Sequence, residues 1–117
     1  MKENYSRTIV YYRHYYKQFF NKQSKSVQKK INWTLGLIAT LERIPSKYFA
    51  HMTGSDGIYE VRVEVGSDIF RVFSFFDESN VVILVNGFQK KSQKTPVNEL
   101  ELATRLKKQY YYEKENE

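Results

Sequence analysis

The sequence predicts an α+β domain: an N-terminal strand, a two-helix hairpin, a three-strand antiparallel meander and a C-terminal helix, packed layer on layer. Three observations carry this. Ile58 to Val65 alternates apolar and polar residues and ends in Gly66-Ser67, a hairpin turn. Val27, Ile31, Leu35, Ile38 and Leu41 recur at helical spacing. Thr95-Pro96 follows the apolar run Val81–Phe88 and opens a third helical pattern. At 117 residues the chain is long enough for one core, so residues 1–117 read as a single domain.

In order, Thr8-Ile9-Val10-Tyr11 is β-branched and aromatic and predicts a first strand. His14 to Asn21 predicts a short helix. A second helix starts at Ser24 or Ser26, either of which can cap it, and runs to about Ile44, where Pro45 stops it. Trp33 and Leu37 are expected to widen its apolar face. Ser46 to Gly57 reads as a connection, with turn formers from Thr53 onward. In the strand Ile58–Val65, Tyr59, Val61, Val63 and Val65 face the core, and Glu60, Arg62 and Glu64 face away. Glycine first in Gly66-Ser67 suits a type II′ turn into a return strand, Asp68–Phe76. Val81–Phe88 is apolar on both faces and belongs inside the sheet. The last helix spans about Pro96–Tyr110, with Thr95 as its N-cap, acidic residues near its start and basic ones near its end. Tyr111 onward reads as a frayed tail.

Composition narrows the chemistry. Net charge is +6, which favours an anionic partner such as RNA, DNA or an acidic protein. With no cysteine, disulfides and thiolate chemistry are excluded. His14 and His51 stand too far apart for metal-ligand spacing, and nothing calls for a cofactor. No apolar run approaches the roughly 18 residues of a membrane span, and the first residues lack an apolar signal core, which predicts a cytoplasmic protein. The ten tyrosines and eight phenylalanines mostly predict core packing, including Tyr15, Tyr16, Phe19 and Phe20.

The candidate site is basic. Arg62 and Arg71 lie on neighbouring strands, and Lys90, Lys91 and Lys94 stand between a strand end and a helix start. Arginine offers a planar fork to phosphate oxygens and lysine a mobile point charge. Cleaving RNA through its 2′-hydroxyl needs a proton acceptor, a charge that neutralises the phosphorane and a proton donor to the leaving oxygen. No histidine stands ready, but a lysine crowded by other cations can move protons. The same residues also fit a solvated turn, with Arg62 paired to Glu60 or Glu64 and Glu60 holding Arg62 or Arg71 in place.

Tyr48 to Tyr110 resembles the RelE/ParE toxin superfamily, and in particular its phage-derived HigB-like branch. The resemblance rests on Gly57-Ile58-Tyr59-Glu60-Val61-Arg62, Ile69-Phe70-Arg71-Val72-Phe73, the run Phe88-Gln89-Lys90-Lys91-Ser92-Gln93-Lys94-Thr95-Pro96, and Glu99 and Ala103. It implies a RelE-like fold and a type II toxin that cleaves mRNA, usually on the ribosome. A cognate antitoxin, expected to be of helix-turn-helix type, would silence it. It also implies that Arg71 acts on the scissile phosphate with Arg62, Lys90 and Lys91 beside it, and that Lys94, Tyr59 and Phe88 hold RNA. The chain departs from RelE at Glu60, where RelE has a lysine. The C-terminal tyrosine or histidine used by several relatives also lacks a clear counterpart, unless Tyr110 or Tyr111 reaches the site. A ParE-like inhibitor of DNA gyrase without nuclease activity is the alternative. The lysine-rich block before Thr95-Pro96 favours the nuclease.

Overall fold

In a computed structural model that describes residues 6–117, the chain runs through β1 (Thr8–Tyr11), α1 (Tyr15–Asn21), α2 (Lys25–Thr40), β2 (Phe49–His51), β3 (Tyr59–Val65), β4 (Asp68–Asp77), β5 (Val81–Lys90) and α3 (Val97–Glu115). Among these residues five strands form one sheet in the order β1-β5-β4-β3-β2. The β3–β4–β5 meander is antiparallel, as its turns predict, and β1 joins β5 in parallel with Thr8 opposite Val81. Val65 pairs with Asp68 across Gly66-Ser67. Only Gly66 of that turn has positive φ, at 61°, as a type II′ turn requires.

Two additions enlarge the expected sheet. Phe49–His51, inside the expected connection, pairs with Val61, Glu60 and Tyr59 as β2. β5 also runs on to Lys90, because Ile69 of β4 still offers it a partner.

Helix ends are set by distant groups. Ser24 Oγ accepts from the Val27 N–H at 3.3 Å and caps α2. The helix stops at Thr40, four residues before the expected end at Ile44. There the Arg7 guanidinium donates to the carbonyls of Ile38, Leu41 and Glu42 at 3.0, 2.7 and 2.9 Å, taking the acceptors left over at a helix C-terminus. At the start of α3, Pro96 itself occupies the cap position with no side-chain bond, so Thr95 is not the cap. The segment from Tyr111 is helical to Glu115 and not frayed. Tyr110 and Lys114 both bind the Asp77 carboxylate, Lys114 at 2.6 and 2.8 Å. The Tyr111 hydroxyl donates to the Phe76 carbonyl at 2.6 Å, and Glu113 takes the Tyr12 hydroxyl and Arg13.

The helices cover the two sheet faces unequally. α1 and α2 bury Tyr16, Phe19, Val27, Ile31 and Ile38 against Val61, Val63, Phe70, Val72, Val82 and Leu84. Gly87 lets Phe19 lie on the sheet, since a β-carbon there would come within 2.5 Å of the ring. On the other face α3 sets Ala103 and Leu106 on Phe73, Phe75, Ile83, Val85 and Phe88. Trp33 does not widen the buried stripe of α2; it is 48 % exposed.

The α3 anchor makes stability depend on pH. Lys114 first and Tyr110 second hold the Asp77 carboxyl below the usual carboxylate range. A depressed folded pKa gives stability that is present above the unfolded value, about 3.9 for aspartate, and lost as pH falls through the folded one. Asp77→Asn should therefore lower the unfolding free energy at pH 7 by about 1.5–3 kcal/mol for a charge-assisted contact, and lower it less near pH 3, below the unfolded value. Urea titrations at both pH values measure this, and an equal gap at the two would contradict the charge-based anchor.

Candidate functional site

Alternation and register decide which side chains meet. In an antiparallel pair, residues directly opposite share a face. Arg62 lies opposite Arg71, Glu64 opposite Ile69, and Glu60 opposite Phe73. Across the next pair Arg71 lies opposite Phe88 and Ile69 opposite Lys90. Glu60, Arg62, Glu64, Arg71, Phe88 and Lys90 thus share the face that carries α3, at the end of the sheet away from its anchor at Asp77. Arg62, Arg71 and Lys90 are brought together as basic residues of one open surface.

The sequence places Glu60 among the outward residues of β3, and here the structure differs. Glu60 is only 2 % exposed. Its Oε1 accepts from Arg62 Nε and Nη2 at 3.2 and 3.1 Å. Its Oε2 stands 3.7 Å from Arg71 Nε, beyond hydrogen-bond distance, and neither of those two buried atoms has a hydrogen-bond partner among the described residues. Arg71 is held by one donation from Nη1 to the Phe70 carbonyl at 3.1 Å. Its side chain is 11 % exposed and that of Arg62 is 36 %. Burial pulls the Arg71 guanidinium below its ordinary pKa, and the Glu60 carboxylate works against that shift. Glu60 therefore holds Arg62 by hydrogen bonds, one of the two roles expected of it, and faces Arg71 as a charge without a bond.

Lys90 and Lys91 line an open cavity of about 590 Å³ with Ser67, Asp68, Ile69, Gln89, Ser92 and Gln93. It lies where the β3–β4 hairpin meets the exit of β5. Lys94 is exposed on the following loop, where its carbonyl accepts from Ser92 Oγ at 3.1 Å. Phe88 adjoins Arg71 but is buried, with its ring 5.3 Å from that of Phe73, so it floors the site and offers no free stacking face. Tyr59 is not brought to the arginines. It lies on the opposite face, stacked on Phe49 at 5.1 Å, and His51 packs edge-on against it. His14 caps α1. Tyr110 and Tyr111 are committed to Asp77 and Phe76 at the far end of β4. Among the described residues no group of His, Asp and Glu is placed to hold a metal ion, and no helix is long and apolar enough to cross a membrane.

Asn86, a polar residue in the apolar run of β5, was not singled out by the sequence. It is buried, and its Nδ2 donates to the Glu99 carbonyl and to Glu99 Oε1, both at 3.0 Å, tying β5 to the first turn of α3. An isolated amide among valines and leucines was the available signal.

Residues 18–108 match the family model described as phage derived protein Gp49-like (DUF891). The chain belongs to this family. Gp49-like proteins are associated with toxins of toxin-antitoxin systems, and the strand and helix order seen here is consistent with a RelE-like fold. No curated protein matches the chain. The matched span contains every basic residue of the candidate site, from Arg62 to Lys94.

Removing one partner from a buried ionic cluster leaves the other charges uncompensated, which typically costs about 3–5 kcal/mol. Glu60→Gln keeps the shape but not the charge, so it should fall near the lower end of that range in urea unfolding. A loss below about 1 kcal/mol, within the range typical of exposed pairs, would mean that solvent already screens Arg62 and Arg71.

Proposed function

We propose that the chain is the toxin of a type II toxin-antitoxin system, of the HigB-like branch, and that it is an endoribonuclease that cleaves mRNA on the ribosome in the cytoplasm. The observation that supports this most directly is the convergence of Arg62, Arg71 and Lys90 on the end of one sheet face that α3 leaves uncovered. In this reading a 2′-oxygen attacks the adjacent phosphorus and the bond to the 5′-oxygen breaks, leaving a 2′,3′-cyclic phosphate and a free 5′-hydroxyl. The Arg71 guanidinium neutralises charge on the phosphorane, and Arg62 helps hold the phosphate. Lys90 or Lys91 takes the 2′-proton or supplies the proton to the leaving oxygen. Lys94, on its exposed loop, steers the RNA backbone. The cognate antitoxin, a helix-turn-helix protein, covers this face or displaces α3, drawn by the exposed cations.

A second reading draws on Glu60. Its buried carboxylate neutralises part of the charge of both arginines, which fits a ParE-like gyrase inhibitor that binds without cutting.

Loss of one preorganised charge contact typically costs on the order of 3 kcal/mol in the transition state, a rate loss of roughly a hundredfold or more. Induced without its antitoxin, the parent should arrest growth and leave new mRNA 5′ ends within codons. Arg71→Ala should abolish both while still binding antitoxin, and Lys90→Ala should weaken them. Mapping of 5′ ends after induction checks this. Intact mRNA with induced DNA breaks would favour the gyrase reading.

A further inference from the structure

The basic face does not end at Arg62. β2 pairs with β3 only over Tyr59–Val61, so from Arg62 onward the outer edge of β3 has no strand beside it. The turn before β2 fills that place. The Arg62 N–H donates to the Tyr48 carbonyl at 2.8 Å, and Arg62 Nη1 to the Ser46 carbonyl at 3.2 Å. Around this edge α2 brings Lys30 and Trp33. The Trp33 ring meets Tyr48 edge-on, with centroids 5.5 Å apart. Lys30 Nζ lies 4.9 Å from the Trp33 ring centre and Lys47 Nζ 5.6 Å from that of Tyr48. Lys30, Lys47, Tyr48 and Arg62 line a small cleft of about 230 Å³, with Glu64 and Gly66 at its hairpin end.

Folding alone does not account for this composition. A tryptophan left 48 % exposed forgoes much of the burial its size allows. No aspartate or glutamate stands between Glu3 and Glu42, a span that holds seven lysines and arginines. The first turn of α2 has no acidic residue and begins with Lys25, against the helix dipole. An apolar partner would meet a lysine at each of the two rings, Lys30 at Trp33 and Lys47 at Tyr48, and three cations against the single carboxylate of Glu64 in the adjoining cleft. A single strand of RNA offers what the patch can take: bases with free faces for aromatic rings and phosphates for the ammonium and guanidinium groups.

We propose that Lys30, Trp33, Lys47 and Tyr48 form a subsite for single-stranded RNA, with a base stacked on the exposed indole and phosphates on the lysines. Arg62 is shared between this subsite and the cleavage face, so one strand can pass from one to the other around the edge of β3. That continuity rests on the nuclease reading; binding at the patch does not.

Trp33 is the only tryptophan of the chain, so its emission reports directly on the patch. The probe is a 2′-O-methylated adenylate decamer, which cannot be cut. Titrated into the parent protein, it should quench Trp33 saturably. With a labelled decamer in anisotropy, Trp33→Ala should weaken binding about tenfold, in the range of one lost base stack. Lys30→Ala/Lys47→Ala, which leaves the core intact, should flatten the salt dependence by about 1.4 in log–log slope for two lost phosphate contacts. Unchanged emission, with a lysine variant that binds as tightly and with the same salt slope as the parent, would overturn the subsite. Trp33 would then serve only to pin the turn to α2. The nuclease reading fails separately: quenching together with intact cellular mRNA would leave the subsite standing and remove the cleavage, and new mRNA ends without quenching would do the reverse.

Discussion

α3 can cover only part of its sheet face, and the character of the rest follows from where it is held. Its last two turns are fastened to the β4–β5 end of the sheet, by Tyr110 and Lys114 on Asp77 and by Tyr111 on the Phe76 carbonyl. Its first turn is tied to β5 through Asn86 and Glu99. Between these ties Ala103 and Leu106 seal Phe73, Phe75 and Val85. Sliding the helix toward Arg71 would expose those aromatic rings and leave Asp77 without its partners. The uncovered half of the face is therefore free to be polar, and the charged residues of β3, β4 and β5 gather there.

On that open half the main difficulty is electrostatic. Arg62 and Arg71 are direct cross-strand neighbours, and like charges so placed repel. Glu60 relieves this from beneath. At 3.7 Å from Arg71, one carboxylate attracts a guanidinium by roughly 4 kcal/mol at the effective dielectric of a protein surface, although desolvating both groups offsets much of it. The division between the two arginines is unequal. Arg62 takes both hydrogen bonds to Oε1, while Arg71 sits just out of hydrogen-bond reach of Oε2. Arg71 is thus oriented by the sheet and by its burial, yet keeps unused donors. An arginine locked into a bidentate pair would have fewer to offer an incoming phosphate.

Much of the fold was legible because it is locally encoded. The alternation of Tyr59 to Val65, the positive φ that Gly66 supplies and the helical stripe of Val27, Ile31, Leu35 and Ile38 each need only near neighbours and appear as expected, whereas Leu41, expected in the same stripe, falls just past the helix end and is exposed. The misjudged features depend on distant partners. Phe49–His51 is too short to show a period and becomes a strand only because β3 lies beside it. α2 ends where Arg7 claims its carbonyls, not where Pro45 forbids continuation. Tyr111 to Glu115 looks like a polar tail until β4 and Tyr12 provide partners. The burial of Glu60 is the same kind of case, since alternation sends it outward and only the two arginines make it tolerable inside. Of the basic residues, those on strands could be gathered by register alone. Tyr59 has the opposite parity to Arg62 on the same strand, so the sequence already held the information that separates them.

The arginines and the lysines differ in how firmly the fold holds them, and the proposed nuclease would use that difference. Arg71 projects from the central strand between Phe88 on one side and Arg62 on the other, with the Glu60 carboxylate 3.7 Å away, so its direction is set before any ligand arrives. Lys90 ends the paired part of β5, Lys91 lies just past it, and Lys94 is on an exposed loop. Ordering a long flexible side chain opposes binding by up to about 2 kcal/mol, so the loop lysines are better suited to gathering a polyanion than to fixing one phosphate. A fixed guanidinium suits the reverse task, because electrostatic stabilisation of a transition state is strongest where no reorganisation is needed. In the proposed reading, the step from exposed loop to paired strand would give a polyanion a wide capture zone and a narrow point of commitment.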